Sequence, residues 1–157
     1  MSSVYQYRIE KDRVTLTVRL RSGRQLEGCI FVQPSVYRHF GREEPFDLFN
    51  GPEPFFPILT SDGEPRLVAK AQVVEVGRIA PTEDDHERRI TSRSADVELM
   101  LVDGTRRSGS ILLELPSDRP RVLDLLNSSG DQFIRLFADD SISLVNVAAV
   151  EHVRPLD

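Results

Sequence analysis

Chemistry near neutral pH rests most often on histidine and cysteine. This 157-residue sequence has three of the first and one of the second. His39 sits in an aromatic segment, His86 in an acidic stretch and His152 in an apolar-patterned tail. None stands at a metal-ligand spacing such as H-E-x-x-H or in a recognisable nucleophile–base motif. A single cysteine excludes a disulfide scaffold and a cysteine-based zinc site. Cys29 lies in the apolar run Gly28-Cys29-Ile30-Phe31-Val32, the setting of a packed small side chain and not of an activated thiolate. The expectation is a protein that is not an enzyme, with no catalytic residue, no metal and no cofactor.

Two groups of side chains suit binding instead. Between Pro34 and Pro57 lie five of the ten prolines and five of the eight phenylalanines. Tyr37, Phe40, Phe46, Phe49 and Phe55 form a candidate interaction surface there, because loops carry function and aromatics anchor interfaces. The same composition also suits a satellite core under a long loop. The second group is basic. Arg13, Arg19 and Arg21 share one face of an alternating segment, Arg24 follows, and the four make a candidate anion-binding stripe. Residues 1–82 hold 11 basic and 10 acidic groups, whereas residues 83–157 hold 9 and 15. Faces of opposite sign favour self-association as well as nucleic acid, and solvated strand surface has the same pattern.

The elements that would position these groups come in two copies. With an offset of 81, Leu20, Gly23, Gly28 and Ile30 meet Leu101, Gly104, Gly109 and Ile111. With an offset of 77, residues 46–78 lie on 123–155 without a gap, and 11 of the 33 positions are identical. Matches of valine and leucine arise readily between apolar-patterned segments, but Asp-Leu-x-Asn does not, so an internal duplication is expected. Asp47 and Asn50 are thereby paired with Asp124 and Asn127. These polar residues would be equivalent ligand groups or, on the reading preferred here, caps of a helical turn and its exit.

Val14, Leu16, Val18 and Leu20 alternate with polar residues, as do Val97, Leu99 and Leu101, which predicts half-buried strands. Ser22-Gly23 and Asp103-Gly104 supply hairpin turns. Gly28 and Gly109, inside the second strand of each copy, suggest a bulge or sharp bend. A helical turn follows, opened by Pro45 and closed by Asn50-Gly51 in copy one, and opened by Asp118 and Pro120 and closed by Asn127 and Gly130 in copy two. Further strands are expected at Phe55–Leu59, Leu67-Val68 and Val73–Val76, and at Gln132–Phe137, Leu144-Val145 and Val150–Val153. Tyr5, Tyr7 and Ile9 alternate and suggest one more. The domains are thus residues 1–80 (copy one, with its long Pro/Phe-rich loop at 34–57), a charged linker at 81–93, and residues 94–157 (copy two).

Leu20-Arg21-Ser22-Gly23-x4-Gly28 and Leu101-Val102-Asp103-Gly104-x4-Gly109 share the spacing L-x-x-G-x4-G. This resembles the first half of the first Sm motif of Sm-like small β-barrels, and the spacing also matches SH3-like hairpins. Val68-x4-Val73-x2-Val76 and Val145-x4-Val150-x2-Val153 are similar to the apolar skeleton of the second Sm motif. The RNA-reading residues of that family are not retained: Ala69-Lys70 and Asn146-Val147 stand in place of its basic pair. What the resemblance implies is a mainly β protein, two tandem-duplicated small antiparallel SH3/Sm-like barrel units, each with a short helical turn. The units are expected to pack with pseudo-twofold symmetry. Arg89-Ile90-Thr91-Ser92-Arg93 looks like the first half of the cyclic-di-GMP motif of PilZ domains, but the second half, D-x-S-x-x-G, does not follow.

With 39% hydrophobic and 29% charged residues and a net charge of −5, the composition is globular and argues against a generally basic nucleic-acid binder. No apolar run approaches the ~18 residues of a membrane helix. No signal-peptide core follows Met1, and a lone cysteine fits a reduced compartment, so the cytoplasm is the expected location. The expected function is a non-catalytic protein-interaction or scaffold module with a protein partner, no membrane association, and self-association allowed. Nucleic-acid binding through the arginine stripe and binding of a small ligand or cyclic dinucleotide are the alternatives.

Overall fold

Alternation of apolar and polar side chains dominates the chain, and it builds strands. The computed structural model describes residues 12–32, 43–115, 121–128 and 130–156. Their strands are β1 (Asp12–Leu20), β2 (Gln25–Val32), β3 (Phe55–Thr60), β4 (Pro65–Ala69), β5 (Val73–Ile79), β6 (Ser94–Leu101), β7 (Arg106–Leu112), β8 (Phe133–Ala138), β9 (Ser141–Asn146) and β10 (Val150–Leu156). Three short helices accompany them: α1 (Pro45–Phe49), α2 (Glu83–Thr91) and α3 (Val122–Ser128). None is long and apolar enough to cross a membrane.

All the strands join one antiparallel sheet in the order β10-β6-β7-β8-β9-β5-β1-β2-β3-β4. Residues 12–79 contribute β5-β1-β2-β3-β4, and residues 94–156 contribute β10-β6-β7-β8-β9, the same internal order. The two sets meet where β5 pairs with β9, Glu75 opposite Val145 and Val76 opposite Leu144. This corrects the expected pseudo-twofold packing. A twofold that brought β5 onto β9 would also bring β10 onto β4, and those two strands lie at opposite ends of the sheet. The two sets are related head to tail, and the sheet is open instead of closing into separate barrels.

Two hydrophobic clusters run through the sheet, and neither belongs to one set alone. The first gathers Leu16, Val18, Ile30, Phe49, Phe56 and Val76 with Phe133, Phe137, Ile142 and Leu144 from the other set. The second is built on Val97, Leu99, Leu101, Leu136 and Val145, and takes in Val74 from β5. Val74 and Val76 straddle Glu75, so β5 feeds both clusters.

The local devices are mostly those the residues dictate. Gly23 and Gly104 adopt φ of +89° and +86°, the left-handed region glycine enters freely. The Asp47 side chain accepts from the Glu44 backbone N–H at 2.9 Å and so boxes the N-terminus of α1, with Pro45 in its first turn. Thr82 and Asp85 box α2 in the same way, so the charged segment read as a linker carries a capped helix. Gly28 and Gly109 do not mark bulges. Both hairpin ladders run through them without a shift, Gly28 opposite Leu16 and Gly109 opposite Val97. The glycines are needed for space: a Cβ at Gly28 would lie 2.2 Å from the Leu59 carbonyl oxygen, and one at Gly109 2.6 Å from that of Phe137. Helix α3 runs from Val122 to Ser128 and so ends between Asn127 and Gly130, the two residues expected to close it. Tyr5, Tyr7, Ile9, Asp118 and Pro120 lie outside the described residues.

Candidate interaction surface

Three polar assemblies hold the two sets of strands together, and three of the residues singled out by sequence, Arg19, Phe46 and Asn50, enter them. Arg19 of β1 donates from Nε to Asp103 and from Nη1 to Glu75, both at 2.6 Å. Arg107 of β7 donates to both Glu75 oxygens at 2.9 and 3.1 Å. Burial opposes the charge on Arg19, but hydrogen bonds to Asp103 and Glu75 outweigh it and raise its pKa. The second assembly centres on Arg135 of β8. Its guanidinium lies 3.7 Å from the centre of the Phe46 ring, with Nη2 3.3 Å from Glu44 and Nε 3.7 Å from Asp85. Burial, seconded by the like charge of Arg88, lowers the Arg135 pKa against the pull of Asp85 and Glu44. The third is a fork. Asn50, the C-cap of α1, donates to the Phe133 carbonyl at 3.1 Å and accepts the Phe133 N–H at 2.8 Å. Within copy one, buried Lys70 donates to the Leu48 and Gly51 carbonyls at 2.7 and 3.2 Å, closing the C-terminus of α1.

These contacts engage part of the arginine stripe. Arg19 is engaged with two carboxylates, Arg21 donates from Nε to the Ala71 carbonyl at 2.9 Å, and Arg13 lies 5.6 Å from the Phe31 ring centre. Arg24 is exposed and stands apart in the hairpin turn. Arg89 of the R-x3-R spacing lies 5.2 Å from the Phe137 ring centre, on α2. The wide groove between the sets is lined by Glu44, Asp47, Asp85, Arg88 and Arg135 among others. Asp47 serves the α1 cap, and Glu44, Asp85 and Arg135 serve one another. His86 and His152 are exposed, Cys29 is half-buried in β2, and His39 lies outside the described residues.

The aromatic residues separate into two kinds. Phe49 is wholly buried, 4.7 Å from Phe56 and 5.2 Å from Phe133 between ring centres, so it belongs to the core and not to a surface. Phe46 is half-buried beneath Arg135. Phe55 is 56% exposed. Tyr37 and Phe40 lie outside the described residues. Of the repeat-matched polar residues, Asp47 caps and Asn50 bridges, as above. Asp124 is held by Arg121 at 3.0 Å, a bond that lowers its pKa, and Asn127 is exposed in the last turn of α3.

A family-model scan, a search of curated proteins and a search of solved structures each found no match to this chain.

What the sequence does not mark is the face on which Phe55 stands. Phe55 pairs with Ala69, Pro57 with Leu67 and Leu59 with Pro65, so these six side chains share one side of the β3–β4 hairpin. Leu67 is 76% exposed. Among the described residues β4 pairs with β3 alone, and its outer edge is free. The matching side of β8–β9 carries Phe133 opposite Asn146, Arg135 opposite Leu144 and Phe137 opposite Ile142. There every apolar member is buried, none more than 3% exposed. The pairing sets Phe55 with Phe133, an offset of 78, because the turn after β8 is one residue shorter than the turn after β3. The ungapped offset of 77 had set Phe56 there instead. The available signal was proline: Pro57 and Pro65 within strands point to an edge hairpin.

Proposed function

We propose that the protein is a non-catalytic interaction module, built from two SH3/Sm-like β units in tandem, and that the β3–β4 hairpin is its working surface. The observation that carries this reading is the contrast between Phe55 and Leu67, 56% and 76% exposed, and Phe133 and Leu144, buried at the matching positions. An apolar face beside a strand edge that is unpaired among the described residues offers main-chain hydrogen bonds and side-chain burial together, the combination used when a strand is added to a sheet. The charged residues Arg19 and Glu75 are engaged with each other and with Asp103 and Arg107, and Arg135 is engaged with Glu44 and Asp85.

The test is affinity capture from the native cell with a Phe55→Ala/Leu67→Ala variant. Both side chains are exposed, so the variant is expected to keep the circular dichroism spectrum and melting temperature of the parent. Loss of the captured partners supports the surface. An unchanged partner set from the folded variant removes the hairpin from the function.

A further inference from the structure

The β3–β4 face has a counterpart already seated within the molecule. Phe133, Phe137, Ile142 and Leu144 of β8–β9 are received beside Val32, Phe49, Val73, Val76 and Ile79, and both groups are buried. At the far end of the sheet, the positions that match the receiving group are Leu113, Leu126, Val150, Val153 and Leu156. Each of these is only half-buried. β10 itself pairs only with β6 among the described residues, so its outer edge is free. Leu113, Leu126, Val150 and Val153 pack against the second cluster on their inner side, so the chain carries a second, less covered copy of each side of its own internal interface. The donor face is at β3–β4 and the acceptor edge is at β10, at opposite ends of one sheet.

The polar fork is duplicated too. Asn50 grips the N–H and carbonyl of Phe133. Asn127 holds the matching place on α3, exposed, its side chain making no hydrogen bond to the described residues. Phe55 holds the matching place on β3.

We infer that the chain docks on a second copy of itself, head to tail, with β4 of one copy pairing antiparallel with β10 of the next. The inference rests on the reading of the β3–β4 hairpin as the working surface, and names its partner. The register follows the internal one, in which Glu75 faces Val145 and Val76 faces Leu144. It sets His152 opposite Val68 and Val153 opposite Leu67, and Asn127 takes the main chain of Phe55. Pro155 does not obstruct the pairing. It stands where Arg78 stands in β5, beyond the paired positions Glu75 and Val76, so its missing N–H costs none of the bonds that the register at His152 and Val153 supplies. Such a contact is heterologous: every copy offers one donor and one acceptor.

Sedimentation velocity of the full chain over a wide concentration range is the first test. Association that grows with concentration is expected, and Leu67→Asp is expected to abolish it. Asn127→Ala removes two neutral hydrogen bonds and is expected to weaken association about tenfold. The register is tested by mixing two single-site variants, Leu67→Cys and Val153→Cys, each carrying Cys29→Ser. Serine at 29 is a mild change, since Ser110 holds the matching place in β7. A disulfide-linked dimer on mixing, absent from either variant alone, supports the inference. A parent chain that stays monomeric at every concentration, or crosslinks that join Leu67→Cys chains to each other, overturns it. A monomeric parent whose foreign partners are still lost with Phe55→Ala/Leu67→Ala overturns self-docking while leaving the working surface in place.

Discussion

Glu75 is a carboxylate buried to 4% exposure, and it is tolerated because two arginines, one from each set of strands, donate to it. Asp103 completes the same cluster from the β6–β7 turn. Burial pushes the Asp103 pKa up, but the Thr105 backbone N–H and the Arg19 guanidinium outweigh it, and the net shift is downward. The sign of the linkage follows. A carboxylate whose folded pKa lies below its unfolded value of about 3.9 contributes stability that is complete above that value. The contribution is lost as pH falls through the folded pKa. Asp103→Asn is therefore expected to destabilise the protein by about 1–2 kcal/mol at pH 7, the worth of a charged hydrogen bond. The deficit should shrink below about pH 4, as the wild-type carboxylate takes up its proton. Urea unfolding at pH 7 and at pH 3 checks it, and a deficit that is the same at both contradicts the assignment. Lys70 is a separate case. Its Nζ holds two carbonyls of α1, so Lys70→Met is expected to cost about 2–3 kcal/mol by leaving them without a donor.

At the scale of elements, the strands were legible because period-two alternation fixes both a strand and its buried face. β1 and β6 follow it residue by residue, and Pro45 with Asn50 bounded α1. Pairing between distant strands was not legible. Nothing local distinguishes Phe49, which is buried between Phe56 and Phe133, from Phe55, which is exposed; the difference is made by β8, 84 residues beyond Phe49. Arg13 and Arg19 lie in β1, whereas Arg21 falls in the turn after it, and the neighbours of Arg19 across the sheet, Glu75 and Asp103, lay out of view. Glycine is the intermediate case: the positions were visible, and of the two devices expected there, bulge or bend, the ladders exclude the bulge. Gly28 and Gly109 serve close approach of the β2–β3 and β7–β8 crossings. Gly28→Ala must move backbone, since the nearest atoms belong to the Leu59 and Thr60 main chain. A loss of about 3 kcal/mol is expected, at the upper end of overpacking costs. Gly23→Ala meets nothing within 4 Å and bears only the positive φ, worth about 1 kcal/mol. Thermal or urea melts should rank Gly28→Ala well below Gly23→Ala, and the reverse order would contradict the packing described.

For the whole molecule, the two sets of strands are one cooperative unit because each completes the other's core. Phe133, Phe137, Ile142 and Leu144 come from the second set and lie in the first cluster, and Val74 comes from the first set and lies in the second. Uncovering a large apolar side chain costs about 1.5–3 kcal/mol. Four of them together amount to roughly the 5–15 kcal/mol by which a whole domain is stable. A fragment of residues 1–92 is therefore expected to lack a cooperative melt and dispersed amide resonances, and so is a fragment of residues 93–157. The β5·β9 ladder, the Asn50 fork and the Arg19 and Arg135 clusters are specific enough to bring the fragments together again. Mixing them is expected to restore a single transition at the position of the intact chain, less the entropy of joining two molecules. Two separate transitions in the intact chain, or independent folding of residues 1–92, would mean that the contacts across the β5·β9 ladder contribute far less than their burial requires.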